Sequence, residues 1–322
     1  MRSVELYGGC GGMALGLARA GFTHAMLVDS SPRCVETLRA NGFKNVVCAR
    51  VEEIDFRRFA GVDLLAGGVP CQPWSVAGKD LGATDDRNGW EHALRAAAEC
   101  RPKALFFECV AGLLRRKFRA YLESVIARFQ ALGYTIHVLK VNAVEYGVPQ
   151  NRTRALIIGF QNAAHRFVPP KVVNGSSIRD ALASLGAPNG VNDHVLRGHA
   201  RSYAGHTGSD PDKPAKCLVA GSIDKGVGGG MNTVRQPDGT VRYFTVRELA
   251  RLQTFPDTYK LPSVWSTANH QLGNAVPVQL AHVWAKAIAA ALKKKVSPWE
   301  PCARRPRRFE CSRPRACRHK SS

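Results

Sequence analysis

The sequence has no uninterrupted apolar run of about 18 residues, the length that a membrane-spanning helix requires. Its first residues read as a buried strand and not as the charged and apolar segments of a signal peptide. We therefore expect a cytoplasmic protein with no membrane span.

Paired cysteine spacing is also missing. The chain has ten cysteines, at positions 10, 34, 48, 71, 100, 109, 217, 302, 311 and 317. Their spacing matches neither a disulfide framework nor a common zinc site, and this includes Cys302, Cys311, Cys317 and His319 near the C-terminus. We expect reduced thiols, most of them small core residues, and no bound metal.

Acidic residues are scarce. The chain has 25 Asp and Glu against 46 Lys and Arg, which gives a net charge of +21 and a pI near 10.0. This excess favours a polyanionic partner, either nucleic acid or an acidic membrane surface. Eleven basic residues lie between Lys293 and Ser322, in a tail with too few large apolar residues to fold alone. Residues 1–292 still have more basic than acidic residues.

Apolar runs of strand length alternate with longer helical patterns through the first half of the chain. This alternation predicts βαβ units around a parallel sheet, an α/β fold of the Rossmann-like class. The predicted strands are Val4 to Tyr7, His24 to Val28, Asn45 to Cys48, Val62 to Ala66, Ala104 to Glu108, Tyr134 to Val141 and Ala155 to Phe160. The predicted helices are Gly12 to Ala20, Pro32 to Ala40, Asn88 to Cys100 and Phe118 to Leu132.

Residues 161–245 have a different composition. They are rich in Gly, Pro, Asn, Asp and His, with only short strand-like pieces such as Lys216 to Ala220. We expect a second, small domain built of loops and short strands. Helical patterns return at Thr245 to Thr254, which begins with a capping box, and at Pro277 to Lys294. No internal repeat is evident.

A glycine-rich segment follows the first predicted strand and opens the first helix. It reads Leu6-Tyr7-Gly8-Gly9-Cys10-Gly11-Gly12. Its glycines allow a tight turn and let backbone N–H groups approach a ligand closely. Asp29 ends the second strand, where an acidic side chain commonly binds a ribose diol. Together these features predict an adenosine-containing cofactor, and a nicotinamide enzyme is a natural alternative at this point.

The loop after the fourth strand holds a cysteine between two prolines, Pro70-Cys71-Gln72-Pro73. Open α/β sheets bind ligands at this edge, and the two prolines restrict the backbone so that the thiol has one orientation. A nucleophilic thiol must first become a thiolate, which nearby positive charge favours. The candidate cations are Lys79, Arg87, Arg152 and Arg154. Cys71 is therefore our candidate nucleophile.

Six motifs together resemble DNA cytosine-5 methyltransferases, of the bacterial or phage type, in their order and spacing. They are Leu6 to Gly12, Pro70-Cys71-Gln72, Phe107-Glu108-Cys109-Val110, Gln150-Asn151-Arg152-Thr153-Arg154, Arg251-Leu252-Gln253-Thr254-Phe255-Pro256-Asp257 and Gln271-Leu272-Gly273-Asn274-Ala275-Val276-Pro277. The resemblance covers almost the whole chain. It implies a Rossmann-like, S-adenosylmethionine-dependent methyltransferase sheet with a small target recognition domain.

The resemblance implies a covalent mechanism. Carbon 5 of cytosine is a poor nucleophile, so Cys71 would first add to C6 of a flipped-out base and create an enamine-like ring that attacks a methyl sulfonium. Glu108 would share a proton with N3 and meet the exocyclic amine. Arg154 would bind the cytosine O2 and Glu108, and Arg152 and Gln150 would support the loop.

The implied methyl donor is S-adenosylmethionine. The positions that match its pocket in the family are Leu6, Tyr7, Gly8, Gly9, Gly11, Gly12, Asp29, Pro70, Asn274 and Val276. One departure lies after the third strand, where the family has Gly-Asp-Ile, whose Asp meets the adenine amino group. This chain has Ala49-Arg50-Val51 there. Either Glu52 or Asp55 compensates, or adenine is held by stacking and backbone groups.

The resemblance also implies a domain organisation. Residues 1–160 with 270–294 would form the catalytic and cofactor-binding domain, and 161–245 the target recognition domain. Residues 246–269 would connect them, and 295–322 would be a disordered basic arm that raises nonspecific DNA affinity. The candidate DNA contacts in the recognition domain are Lys216, Lys225, Arg235 and His206. We expect a monomer that acts on a specific double-stranded DNA sequence, with a cognate restriction endonuclease as a candidate partner.

Two alternatives stay open on the sequence. One is an RNA cytosine methyltransferase of the same family, although the recognition segment has no Cys-Phe-Thr signature. The other is a DNA-binding homologue without turnover, which Arg50 favours. A nicotinamide dehydrogenase is disfavoured, because nothing in it requires Pro-Cys-Gln, Glu108 and the arginine pair together.

Overall fold

A seven-stranded sheet with the order β3-β2-β1-β4-β5-β7-β6 forms the centre of the computed structural model, which describes residues 1–70, 88–161, 166–201, 207–221 and 232–293. The strands are β1 (Arg2–Leu6), β2 (Thr23–Asp29), β3 (Val46–Cys48), β4 (Leu64–Gly68), β5 (Ala104–Val110), β6 (Thr135–Asn142) and β7 (Thr153–Phe160). The α/β class is confirmed, and every predicted strand of the first half has its counterpart.

Strand β7 runs against its neighbours. It pairs antiparallel with β5 and β6, whereas β1, β2, β3, β4 and β5 pair with one another in parallel. The beginning of β7 therefore lies at the same edge of the sheet as the ends of the parallel strands. The register sets Arg154 opposite Val110, two residues beyond Glu108. This one reversed strand brings an arginine from a distant loop to the ligand-binding edge.

Helices cover both faces of the sheet. They are α1 (Gly12–Arg19), α2 (Pro32–Ala40), α3 (Gly89–Cys100), α4 (Arg119–Ala131) and, after the second region, α8 (Val278–Lys293). On one face α1 and α8 pack together, and Leu17 and Trp284 lie in one core with the sheet. On the other face α3 and α4 contribute Trp90 and Phe129, which pack against Phe107 of β5. Apolar residues at helical spacing thus bury one stripe of each helix.

In the described part of the chain one segment, Trp265–Lys293, is long and apolar enough to cross a membrane by length and composition, with a mean hydropathy of 1.3. It consists of two helices, α7 (Trp265–Asn274) and α8. Pro277 lies between them, and proline disfavours the helical conformation at the residue before it. Because 61% of the apolar window is buried inside the protein and α8 packs on α1, we interpret α8 as a core helix.

The second region contains α5 (Ile178–Leu182), β8 (Thr233–Arg235) and β9 (Val241–Tyr243), followed by α6 (Val246–Leu252). Helix α6 begins at the predicted capping box of Thr245 and Glu248. The predicted strand from Lys216 to Ala220 is wrong, since the backbone there forms no strand. Ala215, directly before it, forms an isolated bridge with Gln150, so the segment lies beside a loop.

One hydrophobic core joins this second region to the sheet domain. Ile178, Leu218 and Phe244 lie in the same cluster as Leu272 and Val278. The predicted division at residue 270 falls inside α7, so the domain boundaries stay a prediction.

Candidate active site

A cavity of about 970 Å³ lies where the ends of β1, β2, β4 and β5 face the segment 270–276. Cavities near this size hold cofactors and drug-sized ligands. The sequence-predicted residues that line it are Tyr7, Gly8, Gly12, Asp29, Pro70, Glu108, Arg152, Arg154, Asn274 and Val276. Candidates for cofactor binding and candidates for catalysis therefore share one cavity.

Four predicted site residues are not among those that line the cavity. Leu6 and Gln150 are fully buried, Gly9 donates its N–H to Asp29, and Gly11 precedes α1 with a φ of 89°. A side chain at Gly11 would meet Leu38 and Tyr259, and positive φ is strained for residues other than glycine. These residues shape the wall and do not contact the cavity.

The glycine-rich turn approaches the segment around residue 276 very closely. A Cβ at Gly12 would overlap the carbonyl oxygen of Val276. Only glycine fits at this position without moving the backbone. The first helix and the segment before α8 therefore form one continuous part of the wall.

Asp29 lies in this wall with both carboxylate oxygens held by backbone groups. Oδ2 accepts a hydrogen bond from Gly9 N and Oδ1 accepts one from Ser31 N, each at 2.8 Å. Burial raises the pKa of the Asp29 carboxyl, and these two hydrogen bonds oppose the rise. Each oxygen keeps a lone pair, so the carboxylate is oriented to accept hydrogen bonds from a ligand hydroxyl pair.

Glu108, near the end of β5, forms an ion pair with Arg154 of β7. Glu108 Oε1 lies 2.8 Å from Arg154 Nε, and the two side chains are 8% and 11% exposed. Although the distance is short, Oε1 is a buried oxygen without a well-aligned hydrogen bond in the described residues. The pair lines the cavity on the side of Pro70 and Gly68. Glu108 is thus a buried carboxylate whose orientation depends on one guanidinium.

Arg152 binds backbone carbonyls and not an acidic partner. Its Nη1 donates to Leu218 O at 3.0 Å, and its Nη2 donates to Gly273 O at 2.8 Å and to Ala275 O at 3.1 Å. Burial, followed by repulsion from Arg154, lowers the pKa of Arg152 to about 10. Arg152 therefore ties the loop before β7 to the segment that carries Asn274.

Gln150 also acts through buried contacts. Its Nε2 donates to Leu252 O at 3.2 Å, and its Oε1 accepts from Leu218 N at 3.0 Å. These contacts are buried, and the support of the loop by Gln150 and Arg152 stays a prediction.

Several cavity residues were not predicted. They include Glu5, Met13, Ser31, Arg33, Cys34, Gly221 and His270. Glu5 is 1% exposed and its Oε2 lies 3.4 Å from Nε2 of buried His24. Burial raises the pKa of Glu5, and the contact with His24 opposes the rise. A carboxylate inside the apolar strand β1 was the signal available in the sequence.

Arg50 does not face the cavity. Its side chain is 69% exposed, and its Nη2 donates to Glu52 Oε1 at 2.8 Å. Asp55 binds the backbone and side chain of Arg57. Since neither Glu52 nor Asp55 lines the cavity, the expectation that one of them replaces the usual acidic residue receives no support.

Other predicted residues lie outside the described residues. These are Cys71, Lys79, Arg87, His206, Lys225 and the tail with its three cysteines and His319. Of the described candidates for DNA contact, Lys216 is exposed and Arg235 pairs with Asp210 at 3.3 Å. In the described ranges no cysteine forms a disulfide, and no cluster of His, Cys, Asp and Glu has the arrangement of a metal site.

Comparisons with known proteins agree on one family. The model of the family described as C-5 cytosine-specific DNA methylase matches residues 1–184 and 225–290. The type II methyltransferase M.NgoMIV of Neisseria gonorrhoeae is 35% identical over 91% of this chain and 98% of its own length. The type II methyltransferase M.AplI of Arthrospira platensis is 31% identical, over 91% of this chain and 87% of the relative.

A solved structure shares the fold. It is described as a DNA modification methyltransferase encoded within an E. coli prophage, and it superimposes with a TM-score of 0.71 at 21% identity. The match covers 91% of this chain and 100% of that one. At this identity the likeness supports the architecture of the sheet.

Proposed function

Because the chain belongs to the C-5 cytosine-specific DNA methylase family, and is a DNA cytosine-5 methyltransferase that uses S-adenosylmethionine, we propose that its cavity holds this cofactor beside a flipped-out cytosine. We further propose that Cys71 adds covalently to the base and that the substrate is a specific double-stranded sequence. One observation carries the proposal: the Glu108–Arg154 pair lines the same cavity as the glycine-rich turn, Asp29 and Asn274.

The wall of the cavity suits the cofactor chemically. The Asp29 carboxylate would accept hydrogen bonds from the ribose hydroxyls, and the apolar surfaces of Pro70 and Val276 would contact the adenosine. Glycine at positions 8 and 12 leaves the backbone itself as the wall. When bound, S-adenosylmethionine supplies an electrophilic methyl group on a positively charged sulfur. The half-buried carboxyl group of Asp29 and the buried one of Glu5 suit a cationic ligand.

Cys71 is proposed as the nucleophile. Its Sγ would form a bond to C6 of cytosine, and the electron pair of the C5–C6 double bond would move toward C5 and the N3 side of the ring. After C5 is methylated, loss of the C5 proton to a base restores the double bond, and the C6–S bond breaks to release the thiolate. Pro70, the residue directly before Cys71, lines the cavity, which supports this role.

Glu108 is proposed to hold the proton at N3 while electron density develops on the ring. A buried carboxyl group suits this task because the low dielectric strengthens its interaction with the ring. Arg154 would orient Glu108 through Nε, 2.8 Å from Oε1, and bind the cytosine O2. Arg152 and Gln150 would act as positioning residues through their contacts with Leu218.

We also infer a cellular setting. The type II names of the relatives suggest a restriction endonuclease that cuts the same sequence. The protein would then act as a monomer on DNA in the cytoplasm of a bacterial or phage-infected cell, and size-exclusion chromatography with light scattering tests the monomer.

Expression in a host that lacks cytosine methylation tests the proposal. We expect 5-methylcytosine at one recurrent sequence when the DNA of that host is read by a conversion method. If the protein is folded but the host DNA contains no 5-methylcytosine, the proposed function is wrong.

Cys71→Ala tests the nucleophile in the same host. We expect no methylation and largely retained DNA binding, because the variant removes the C6 adduct and no basic residue. Cys48→Ala is the matched control, since this exposed cysteine at the end of β3 lies outside the cavity. Methylation by Cys71→Ala at the wild-type rate would refute the covalent mechanism.

A further inference from the structure

A segment of the second region runs beside the loop that carries the two arginines. Asn151 N donates to Ala215 O at 2.8 Å, and Ala215 N donates to Pro149 O at 2.9 Å. Leu218 then meets Gln150 through its N–H and Arg152 through its carbonyl oxygen, each at 3.0 Å. The backbone of residues 215–218 is therefore fixed against residues 149–152 at four points.

This register sets Cys217 between two guanidinium groups. Its Sγ lies 3.6 Å from Arg152 Nη1. The same sulfur lies 4.0 Å from Nη1 and 3.9 Å from Nη2 of Arg154. The thiol points its own hydrogen toward Leu218 O, at 3.6 Å, so that sulfur lone pairs remain for the arginines.

Both guanidinium groups are cations, and repulsion from Arg154 adds to burial, the larger cause, in lowering the pKa of Arg152. A polarisable sulfur atom between two cations offsets part of this repulsion, because it offers electron density to both. A purely apolar side chain of the same size offers none. Cys217 is thus more than a spacer at this position.

The fork of Arg154 is planar and rigid. Its Nη1 donates to Thr153 O at 2.8 Å, both Nη atoms lie within 4.0 Å of Cys217 Sγ, and its Nε faces Glu108 Oε1, so fixing one edge of the fork fixes the direction of the other. We propose that Cys217 is a positioning residue that holds Arg154 in the orientation that directs Glu108 toward the substrate base. The proposal rests on the roles proposed above for Arg154 and Glu108.

Two substitutions of nearly equal shape test it, Cys217→Val and Cys217→Thr. Valine removes the acceptor, whereas threonine keeps one. Because misdirected catalytic groups lose rate more than ligand affinity, we expect valine to lower kcat about tenfold or more with an unchanged KM for S-adenosylmethionine. Threonine should restore kcat to within about threefold of the wild type. The assay is transfer of labelled methyl groups to DNA from a host without cytosine methylation.

Folding and thiol loss are controlled separately. Thermal unfolding of both variants checks stability, and Cys48→Val removes a thiol outside the cavity and should keep the wild-type kcat. The proposal is overturned if Cys217→Val keeps the wild-type kcat, or if threonine falls as far as valine, since then only packing matters at position 217. Wild-type protein that transfers no methyl group would instead overturn the proposed function.

Discussion

The start of α6 and the edge of the cavity each contain a buried glutamate with an arginine partner. At α6, Glu248 Oε1 and Oε2 accept from Arg242 Nη2 and Nη1, both at 2.7 Å, and Oε2 also accepts from Thr245 N. Two parallel hydrogen bonds and a helix cap use most of what this carboxylate offers. The side chain of Glu248 is 3% exposed and does not line the cavity.

At the cavity, Glu108 Oε1 lies 2.8 Å from Arg154 Nε but has no well-aligned hydrogen bond in the described residues, and both residues line a space large enough for a ligand. Partly satisfied polar groups in a low dielectric are costly to keep, so they are found where a ligand completes them. The same two residue types therefore serve two purposes. The Glu248–Arg242 pair stabilises the fold, whereas the Glu108–Arg154 pair holds a carboxyl group at the cavity, where a ligand can reach it.

Glu108→Gln gives the largest expected effect. Loss of a group that shares a proton with the reacting ring should lower the methyl transfer rate by about 100- to 10,000-fold. The variant also leaves Arg154, 11% exposed, without its charge partner, so the unfolding midpoint should fall and the rate is taken per folded molecule. Single-turnover transfer of labelled methyl groups measures the rate. A wild-type rate in Glu108→Gln would contradict a role of Glu108 in methyl transfer.

Glu248→Gln should lower stability and leave the methyl transfer rate unchanged. It leaves Arg242, whose side chain is 12% exposed, without its charge partner, and breaking a buried pair costs about 3–5 kcal/mol. Urea unfolding measures the loss, and activity per folded molecule should not change. A variant that kept its stability but lost activity would show that the Glu248–Arg242 pair contributes to the active site and not to stability.

Arg242→Lys tests the geometry of the satisfied pair. Lysine keeps the charge but not the fork, so one of the two charge-assisted hydrogen bonds is lost, at a cost of about 1.5–3 kcal/mol. Urea unfolding detects a change of this size. The matched change Arg154→Lys should also lower the rate of methyl transfer, because Arg154 lines the cavity and Arg242 does not. A wild-type rate in Arg154→Lys would contradict the distinction.

Glu5→Gln extends the comparison to a buried carboxylate that faces His24. Burial raises the pKa of Glu5 above its ordinary value of 4.5, so the folded state binds the proton more tightly than the unfolded state. The stability from this proton is present below pH 4.5 and is lost as the pH rises through the raised pKa. The variant lacks this loss, so it should become more stable relative to the wild type as the pH increases.

Thermal unfolding between about pH 4 and pH 8 measures this small effect. Glu36→Gln on the exposed face of α2 is the control for the loss of one carboxylate. A constant difference between Glu5→Gln and the wild type across the range would argue against a titrating Glu5.

The parts of the site that the sequence predicts best are those fixed by local pattern. Glycines after β1, an acidic residue at the end of β2 and a glutamate near the end of β5 all lie at one edge, because parallel strands end there. Arg154 was expected to meet Glu108, and the two lie 2.8 Å apart. Their catalytic roles stay a prediction until the variants are measured.

What the sequence did not predict depends on distant contacts. The segment from Lys216 to Ala220 has the composition of a strand, but its partner is a loop and not a sheet edge. Cys217 reads as one more small apolar residue until the register against Gln150 is known. In the sequence, Arg50 replaces an acidic residue that would contact the cofactor. In the structure its side chain points toward Glu52 and solvent, away from the cavity.

The contact between Gly12 and Val276 bears on the order in which the chain is made. The ribosome produces the glycine-rich turn first and the segment that closes against it more than 250 residues later. Contacts so far apart in sequence form late in folding, and an unfinished chain has only one half of the wall. We therefore expect that a nascent chain which has not yet reached Val276 lacks a complete cavity and transfers no methyl group.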